Sequence, residues 1–294
     1  MLDLHRLMLL RELKLRGSMS AAARERNYTH SAVSQQLAQL ERETGVTLFE
    51  RVGRGVRLTA AGEELVRNTE TILAAVERAE ADLVSSHERA RGRVQLGAFA
   101  SVSRSVLPEA LAALAIDYPD LDVRVRLVEP DDSPTQLLAR QVDAVVADAY
   151  PGSPSATALG LHTTVIGRDP VRGYLPDPDL DGDVERLRDV RWVLEPRTTG
   201  SAEWAIRTCR GLGFEPIVAY ESSDMLFHLR LVQRGLAAAF LPEMVLREAA
   251  AELRPSRLLP RDQHRSILFL ARSGAEHAPG LVAVREAIAA QLAR

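Results

Sequence analysis

The stretch YTHSAVSQQLAQLERETG, Tyr28 to Gly45, spaces Val33, Leu37 and Leu40 as the apolar side of a helix. Its more exposed positions hold His30, Ser31, Ser34, Gln35 and Gln39. A solvated helix usually carries Glu and Lys there, because those residues combine helix propensity with charge. Hydroxyl, amide and imidazole groups instead both give and accept hydrogen bonds, so this side is suited to exchange them with polar edges of another molecule.

The neighbouring segments define how that helix is held. Asp3 is placed to cap a first helix whose Leu7, Leu10 and Leu13 share a stripe, with Gly17 as its stop. Ser18 or Ser20 starts a short helix, SAAARERN, whose small Ala21, Ala22 and Ala23 let another helix approach closely. The turn NYT follows, and its Thr29 is the expected cap of the polar-faced helix. Three short helices with a tight turn between the second and third describe a helix-turn-helix. After Gly45, VTLFERVGRGVRLT alternates loosely around Gly53 and Gly55. That pattern predicts a two-stranded wing with Arg51, Arg54 and Arg57 on or beside its tip.

Charge separates this head from the remainder. Residues 1–59 hold ten Arg and Lys against six Asp and Glu, a surplus of +4. The whole chain is at -3, so the rest carries -7. A basic head on an acidic body suggests a polyanion partner for the head and another task for the body.

Thr59 is the expected cap of a long helix. In it Leu65, Thr69, Ile72, Val76, Ala79 and Leu83 recur at alternating spacings of four and three, a heptad seam that predicts self-association. RARGRV, from Arg89, reads as a linker. Beyond it strands and helices alternate in two series: VQLGAFA, SRSVLPEALAALAIDY, LDVRVRLV, SPTQLLARQ and VDAVVADA, then RWVLEP, SAEWAIRTCRGLG, PIVAY, SDMLFHLRLVQRG and LAAAFLP. Two such series predict a two-lobed α/β body. SILFLAR and the closing helix GLVAVREAIAAQLA are expected to return to the first lobe. The resulting division is 1–59 for the head, 60–88 for the linker helix and 92–294 for the body. Within the body the first lobe takes about 92–163 and 266–294, and the second about 164–265.

Other classes fare poorly. No apolar run approaches the roughly 18 residues of a membrane span. The opening MLDLHRLMLLRELKLRG is interrupted by Asp3, Arg6, Arg11, Glu12 and Lys14, unlike a signal peptide, so a soluble cytoplasmic protein is expected. Cys209 is alone, which excludes an internal disulfide, a Cys-rich zinc site and a paired-cysteine peroxide sensor. Nucleophile-elbow, zincin, phosphate-loop and dinucleotide-glycine motifs are all absent, so neither an enzyme nor a cofactor is expected. The rival reading is a two-lobed solute-binding protein or enzyme with an accessory DNA-binding head. A signal peptide or a catalytic constellation would favour it, and neither is present.

GSMSAAARERNYTHSAVSQQLAQLERETGVTLFERVGRGVRLTAAG, residues 17–62, resembles the amino-terminal domain of LysR-type transcriptional regulators. The shared elements are Gly17-Ser18, Ala21 to Ala23, Ala32-Val33-Ser34, Leu40-Glu41, Gly45-Val46-Thr47-Leu48-Phe49-Glu50-Arg51 and Arg57-Leu58-Thr59-Ala60-Ala61-Gly62. The resemblance covers essentially the whole chain, most specifically to residue 62. It implies a winged helix-turn-helix, a linker helix and a two-lobed, periplasmic-binding-protein-like body. Double-stranded DNA would be one partner, met as a homodimer on a pseudo-palindromic operator, with a homotetramer the family's other common state.

Under that resemblance His30, Ser31, Ser34 and Gln35 enter a major groove, where Gln35 is suited to pair with adenine N6 and N7. Gln39, further along, meets phosphate or solvent. Ser18, Ser20 and Arg51 are candidates for phosphate contacts, and Arg54 for a minor groove. The family often has Gln at the position of His30 and Arg at that of Gln35, which changes the expected base preference. In the body, Ser101 and Ser103 match the effector-binding position on the first lobe, and Thr198, Thr199 and Ser201 that on the second. Ser223 is a weaker match, and Arg197 is a candidate carboxylate clamp. Helix termini and hydroxyls facing a cleft suggest an anionic small-molecule effector. Each of these hydroxyls is equally suited to cap a helix with no ligand present.

Overall fold

The computed structural model describes residues 2–25, 28–53, 55–85, 90–153 and 159–293, with the side chains of residues 25, 51, 84 and 85 left aside. The head comprises α1 (Leu4–Arg16), α2 (Met19–Glu25) and α3 (His30–Thr44), followed by the antiparallel strands β1 (Phe49–Val52) and β2 (Gly55–Leu58). Its ends are set by the residues the sequence marks. Asp3 accepts from the His5 and Arg6 N–H groups, and Gly17 closes α1 at φ 68°. Thr29 accepts from the Ala32 N–H. The buried leucines of α1 pack with Val33, Leu37, Leu40, Leu48 and Val66 in one core.

The long helix α4 (Ala60–Ser85) is joined to this core at its first turn. Thr59 donates through Oγ1 to the Thr47 carbonyl at 2.8 Å and accepts from the Gly62 N–H at 3.1 Å. Gly62 lies so close to the strand that an added Cβ would stand 2.0 Å from the Leu48 carbonyl oxygen. The motif's glycine therefore has a steric reason.

The body begins with β3 (Gly92–Ala98), which starts inside the stretch the sequence suggested as linker; Arg89 is outside the described residues. Next come α5 (Ala100–Ser105) and α6 (Leu107–Asp117), expected as one helix. Pro108 divides them, because proline lacks an N–H and its ring clashes with the carbonyl four residues back. Val106 at the break is non-helical. β4 (Leu121–Leu127), α7 (Ser133–Leu138) and β5 (Ala144–Ala149) complete the first series.

The chain then enters β6 (Leu161–Tyr174), a fourteen-residue strand that was not foreseen. Gly167 and Pro170 interrupt its β pattern in sequence, and burial along it alternates irregularly. The second series is β7 (Arg191–Leu194), α8 (Gly200–Gly211), β8 (Ile217–Glu221), α9 (Met225–Gln233), β9 (Ala239–Pro242) and α10 (Glu243–Glu248). β10 (Gln263–Arg272) and α11 (Pro279–Leu292) close the chain.

The central sheet has the order β4-β3-β5-β10-β6-β9. β3 is parallel to β4 and β5, while β10 runs antiparallel between β5 and β6. β7 pairs in parallel with β8 and touches the residue before β9 through a Trp192–Ala238 bridge. One apolar core lies between the first strands, α5, α6 and α11. Another, around Trp192, Trp204 and Phe240, belongs to the second lobe. The fold is a winged helix-turn-helix, a linker helix and a two-lobed α/β body. β6 runs from one lobe into the other.

Candidate DNA-reading face and interlobe site

On α3, His30, Ser31 and Gln35 are exposed and Ser34 is half-buried. Among the described residues, His30, Ser34 and Gln35 make no side-chain hydrogen bond, so their polar atoms are available to an incoming partner. Ser31 shares a 3.0 Å contact with the capping Thr29. Gln39 differs, since it donates to Glu43 at 3.0 Å and accepts from Arg42 at 2.6 and 3.1 Å. Its amide is occupied within the helix. Ser18 likewise accepts from the Ala21 N–H, while Ser20 is exposed. Arg54 and the Arg51 side chain lie outside the described residues.

The heptad seam on α4 divides. Ile72, Val76, Ala79 and Leu83 face outward, Leu83 at 74% exposure. Thr69 is instead fully buried, its hydroxyl bonded to the Leu65 carbonyl, and Leu65 packs on the head core. These two positions are taken inside the chain by the contact of α4 with α1, which corrects their expected place on the seam. A second stripe, Val66, Glu70, Glu77 and Ala81, is buried against the rest of the molecule. Glu70 accepts from Arg11 at 2.5 Å, and Arg11 also donates to the Leu138 carbonyl at 3.2 Å. Head, linker helix and body therefore meet in one polar junction.

Between the lobes lies a cavity of about 540 Å³. At its floor is Arg265, 2% exposed, on β10. Its guanidinium donates to Asp148 at 2.9 Å, to Asp169 at 2.9 and 3.0 Å and to Ser101 Oγ at 3.0 Å. It also lies 5.1 Å from the Phe99 ring centre. Desolvation pushes the Asp148 carboxyl above its ordinary range, and Arg265 opposes that shift. On the second lobe, burial and then the charge of Asp148 raise Glu195 from 4.5 to about 7, while the Ser201 hydroxyl holds it down. Burial likewise raises the Tyr150 phenol.

Of the sequence-predicted effector residues, Ser101, Thr198, Thr199, Ser201 and Ser223 line this cavity. Ser101 already bonds Arg265, and Thr199 caps α8 through the Ala202 N–H. Ser103 does not line it. Two residues along a helix from Ser101, it turns away and reaches the Ala98 carbonyl at 3.4 Å. Arg197 is exposed outside the cavity, where its charge helps lower Glu215. Sequence reasoning missed Asp148, Tyr150, Asp169, Glu195 and Arg265. One signal was present: Arg265, Ile267 and Phe269 share a strand face, and an arginine on a core face requires buried acids.

Cys209 is buried in the second-lobe core and its thiol is pushed up to about 12 by desolvation. Such a thiol is a poor nucleophile. No helix of the described residues is long and apolar enough to cross a membrane.

Residues 4–63 match the family model for bacterial regulatory helix-turn-helix proteins of the lysR family, and residues 87–293 match the LysR substrate binding domain. The chain belongs to the LysR family of transcriptional regulators. This LysR-family regulator is 29% identical over 249 residues to the transcriptional dual regulator GltC of Bacillus subtilis (strain 168), covering 84% of this chain and 83% of that one. It is 28% identical over 280 residues to the probable HTH-type transcriptional regulator LtrA of Klebsiella pneumoniae, covering 90% and 86%. Its fold is that of full-length CbnR solved with its target DNA, with a TM-score of 0.52 at 22% identity over 99% and 100% of the two chains. Full-length OxyR from Pseudomonas aeruginosa superposes with a TM-score of 0.60 at 19% identity over 98% and 95%. The matches thus favour a LysR-family regulator over the rival two-lobed solute-binding protein or enzyme with an accessory DNA-binding head.

Proposed function

We propose that this regulator binds a pseudo-palindromic operator as a homodimer and that a small molecule entering the interlobe cavity alters that binding. The observation that carries the reading is the free polar side of α3. Among the described residues His30, Ser34 and Gln35 have no side-chain hydrogen-bond partner, although the opposite side of the helix is packed in the head core. Such groups at the amino end of a recognition helix read base edges in a major groove. Ser31 joins them, while Ser18, Ser20, Arg51 and Arg54 are assigned to the phosphate backbone and adjacent groove. Gln39 has a supporting role through Arg42 and Glu43.

The outward residues Ile72, Val76, Ala79 and Leu83 form the proposed dimer seam, continued by packing of two heads on two half-sites. The related CbnR is known with its target DNA, which supports the DNA reading for this chain. In the body, Ser101, Thr198, Ser201 and Ser223 are the proposed effector contacts, with Thr199 positioning α8. Body and head communicate through α4, where Arg11 of the head bonds both Glu70 and the Leu138 carbonyl of the first lobe. Footprinting on DNA flanking the protein's own gene tests the reading. A two-fold symmetric protected site supports it, and uniform salt-sensitive coating opposes it.

A further inference from the structure

The sequence suggested an anionic effector, whereas the charged groups of the cavity are mostly acids. Six carboxylates line it: Glu129, Asp131, Asp132, Asp148, Glu195 and Glu203. Arg265 and Arg104 are the cations on the wall, and both are already matched. Arg265 is enclosed by Asp148 and Asp169, and Arg104 donates to Glu248 at 2.5 Å. Among the described residues, no cation forms an ion pair with Glu129, Asp131, Asp132, Glu195 or Glu203.

Two of the helix starts at the cavity already carry acidic or capping side chains of the chain's own. The dipole at the start of α8 has Glu203 in its first turn, and Thr199 Oγ1 accepts from the Ala202 N–H. Asp224 fills the same place on α9. An anion entering here would be desolvated against five carboxylates that have no ion-pair partner among the described residues, whereas a cation would be matched by them. Burial first, and then the charges of Asp148 and Asp132, raise Glu129 and Asp131, and a bound cation would relieve the repulsive part.

We infer that the interlobe cavity takes a small organic cation, its ammonium or guanidinium group between Glu195 on the second lobe and the acids of the Glu129–Asp132 segment on the first. A bare metal ion fits less well, because among the described residues no three His, Cys, Asp or Glu side chains converge on one point. The apolar wall of Phe99, Pro130, Tyr150 and Met225 suits the carbon chain of such a ligand. Carboxylates on both lobes would also pull the lobes together on one positive charge. The inference rests on the proposal that this cavity is the effector site and adds the charge of its occupant.

Calorimetric titration of the full-length protein tests it, with 1,4-diaminobutane, spermidine and agmatine as cationic probes and succinate and benzoate as anionic ones. At least one cation is expected to bind with Kd below about 1 mM. Glu195→Gln should weaken it about tenfold, as loss of a charged hydrogen bond does. The exposed Glu203→Gln, whose folding is not in question, should weaken it by a smaller factor. Diaminobutane against agmatine separates an ammonium from a guanidinium preference. Binding of the anions alone, or of neither class, overturns the inference. Footprinting of the ligand-free protein in parallel keeps the two readings apart. An operator without cation binding leaves the regulator standing, and cation binding without an operator leaves only the ligand class.

Discussion

Arg272, on the last strand of the body, donates through Nε to Glu77 of the linker helix at 2.9 Å, with both side chains largely buried. Arg140 reaches the same carboxylate at 2.5 Å. Nearby, the backbone itself closes on α4: a Cβ at Gly274 would stand 2.1 Å from the Ala74 carbonyl oxygen. The helix that bears the head is thus gripped by the body at Glu77 and by the head at Glu70.

Glu77→Ala should cost about 3 kcal/mol, because it leaves Arg272 buried with only backbone carbonyls and Asp143 to satisfy it. Urea unfolding of the single variants and of Glu77→Ala with Arg272→Ala gives the coupling. A cycle with no coupling between the two would show that the pair is not a unit.

Gly62→Ala places a methyl group against the Leu48 carbonyl, a backbone atom that has little freedom to shift. The head should lose roughly 3 kcal/mol of stability and its DNA affinity, while the body unfolds as before. Calorimetric melting resolves the two. An unchanged head transition would contradict the close approach.

Glu195 makes stability depend on pH. Its carboxyl is held at about 7 in the folded chain against 4.5 ordinarily, so the folded state keeps a proton that the unfolded state releases. Stability therefore falls as pH rises from about 4.5 to about 7 and is level above that. Glu195→Gln should flatten this segment and leave the variant more stable than the parent at pH 8. Thermal melting at pH 5 and pH 8 measures both slopes; equal slopes would mean that Glu195 titrates normally.

Val76→Glu, on the outward side of α4, should turn a dimer into a monomer without loss of folding, because charge on an a/d seam opposes its packing. Thr69→Ala should do the reverse. It removes an internal hydrogen bond to Leu65 and lowers stability by about 1 kcal/mol while leaving assembly alone. Sedimentation velocity distinguishes them, and a Val76→Glu dimer would place the interface elsewhere.

What was legible in the sequence was local chemistry. Caps at Asp3 and Thr29, the stop at Gly17 and the polar side of α3 each depend on residues within a turn or two. β6 was missed because Gly167 and Pro170 obscure a strand that is recognisable by its partners β10 and β9. The inward side of α4 was missed for a different reason. Glu70 and Glu77 lie on it, and a search for apolar periodicity does not expect buried carboxylates. In the cavity, the hydroxyls were found where helices begin. Arg265 with Asp148 and Asp169 was not, since the partners are 117 and 96 residues away in sequence and meet only because β10 lies between β5 and β6. The acidity of the cleft followed from that same assembly.

The most direct test of the central claim is footprinting of the parent and of Ser34→Ala with Gln35→Ala on the same DNA at one fixed salt concentration. The doubly substituted protein is predicted to fold normally, to keep salt-dependent non-specific binding and to lose the two-fold symmetric protected site. The same symmetric protection by both proteins would contradict the assignment of α3 as the element that reads the operator.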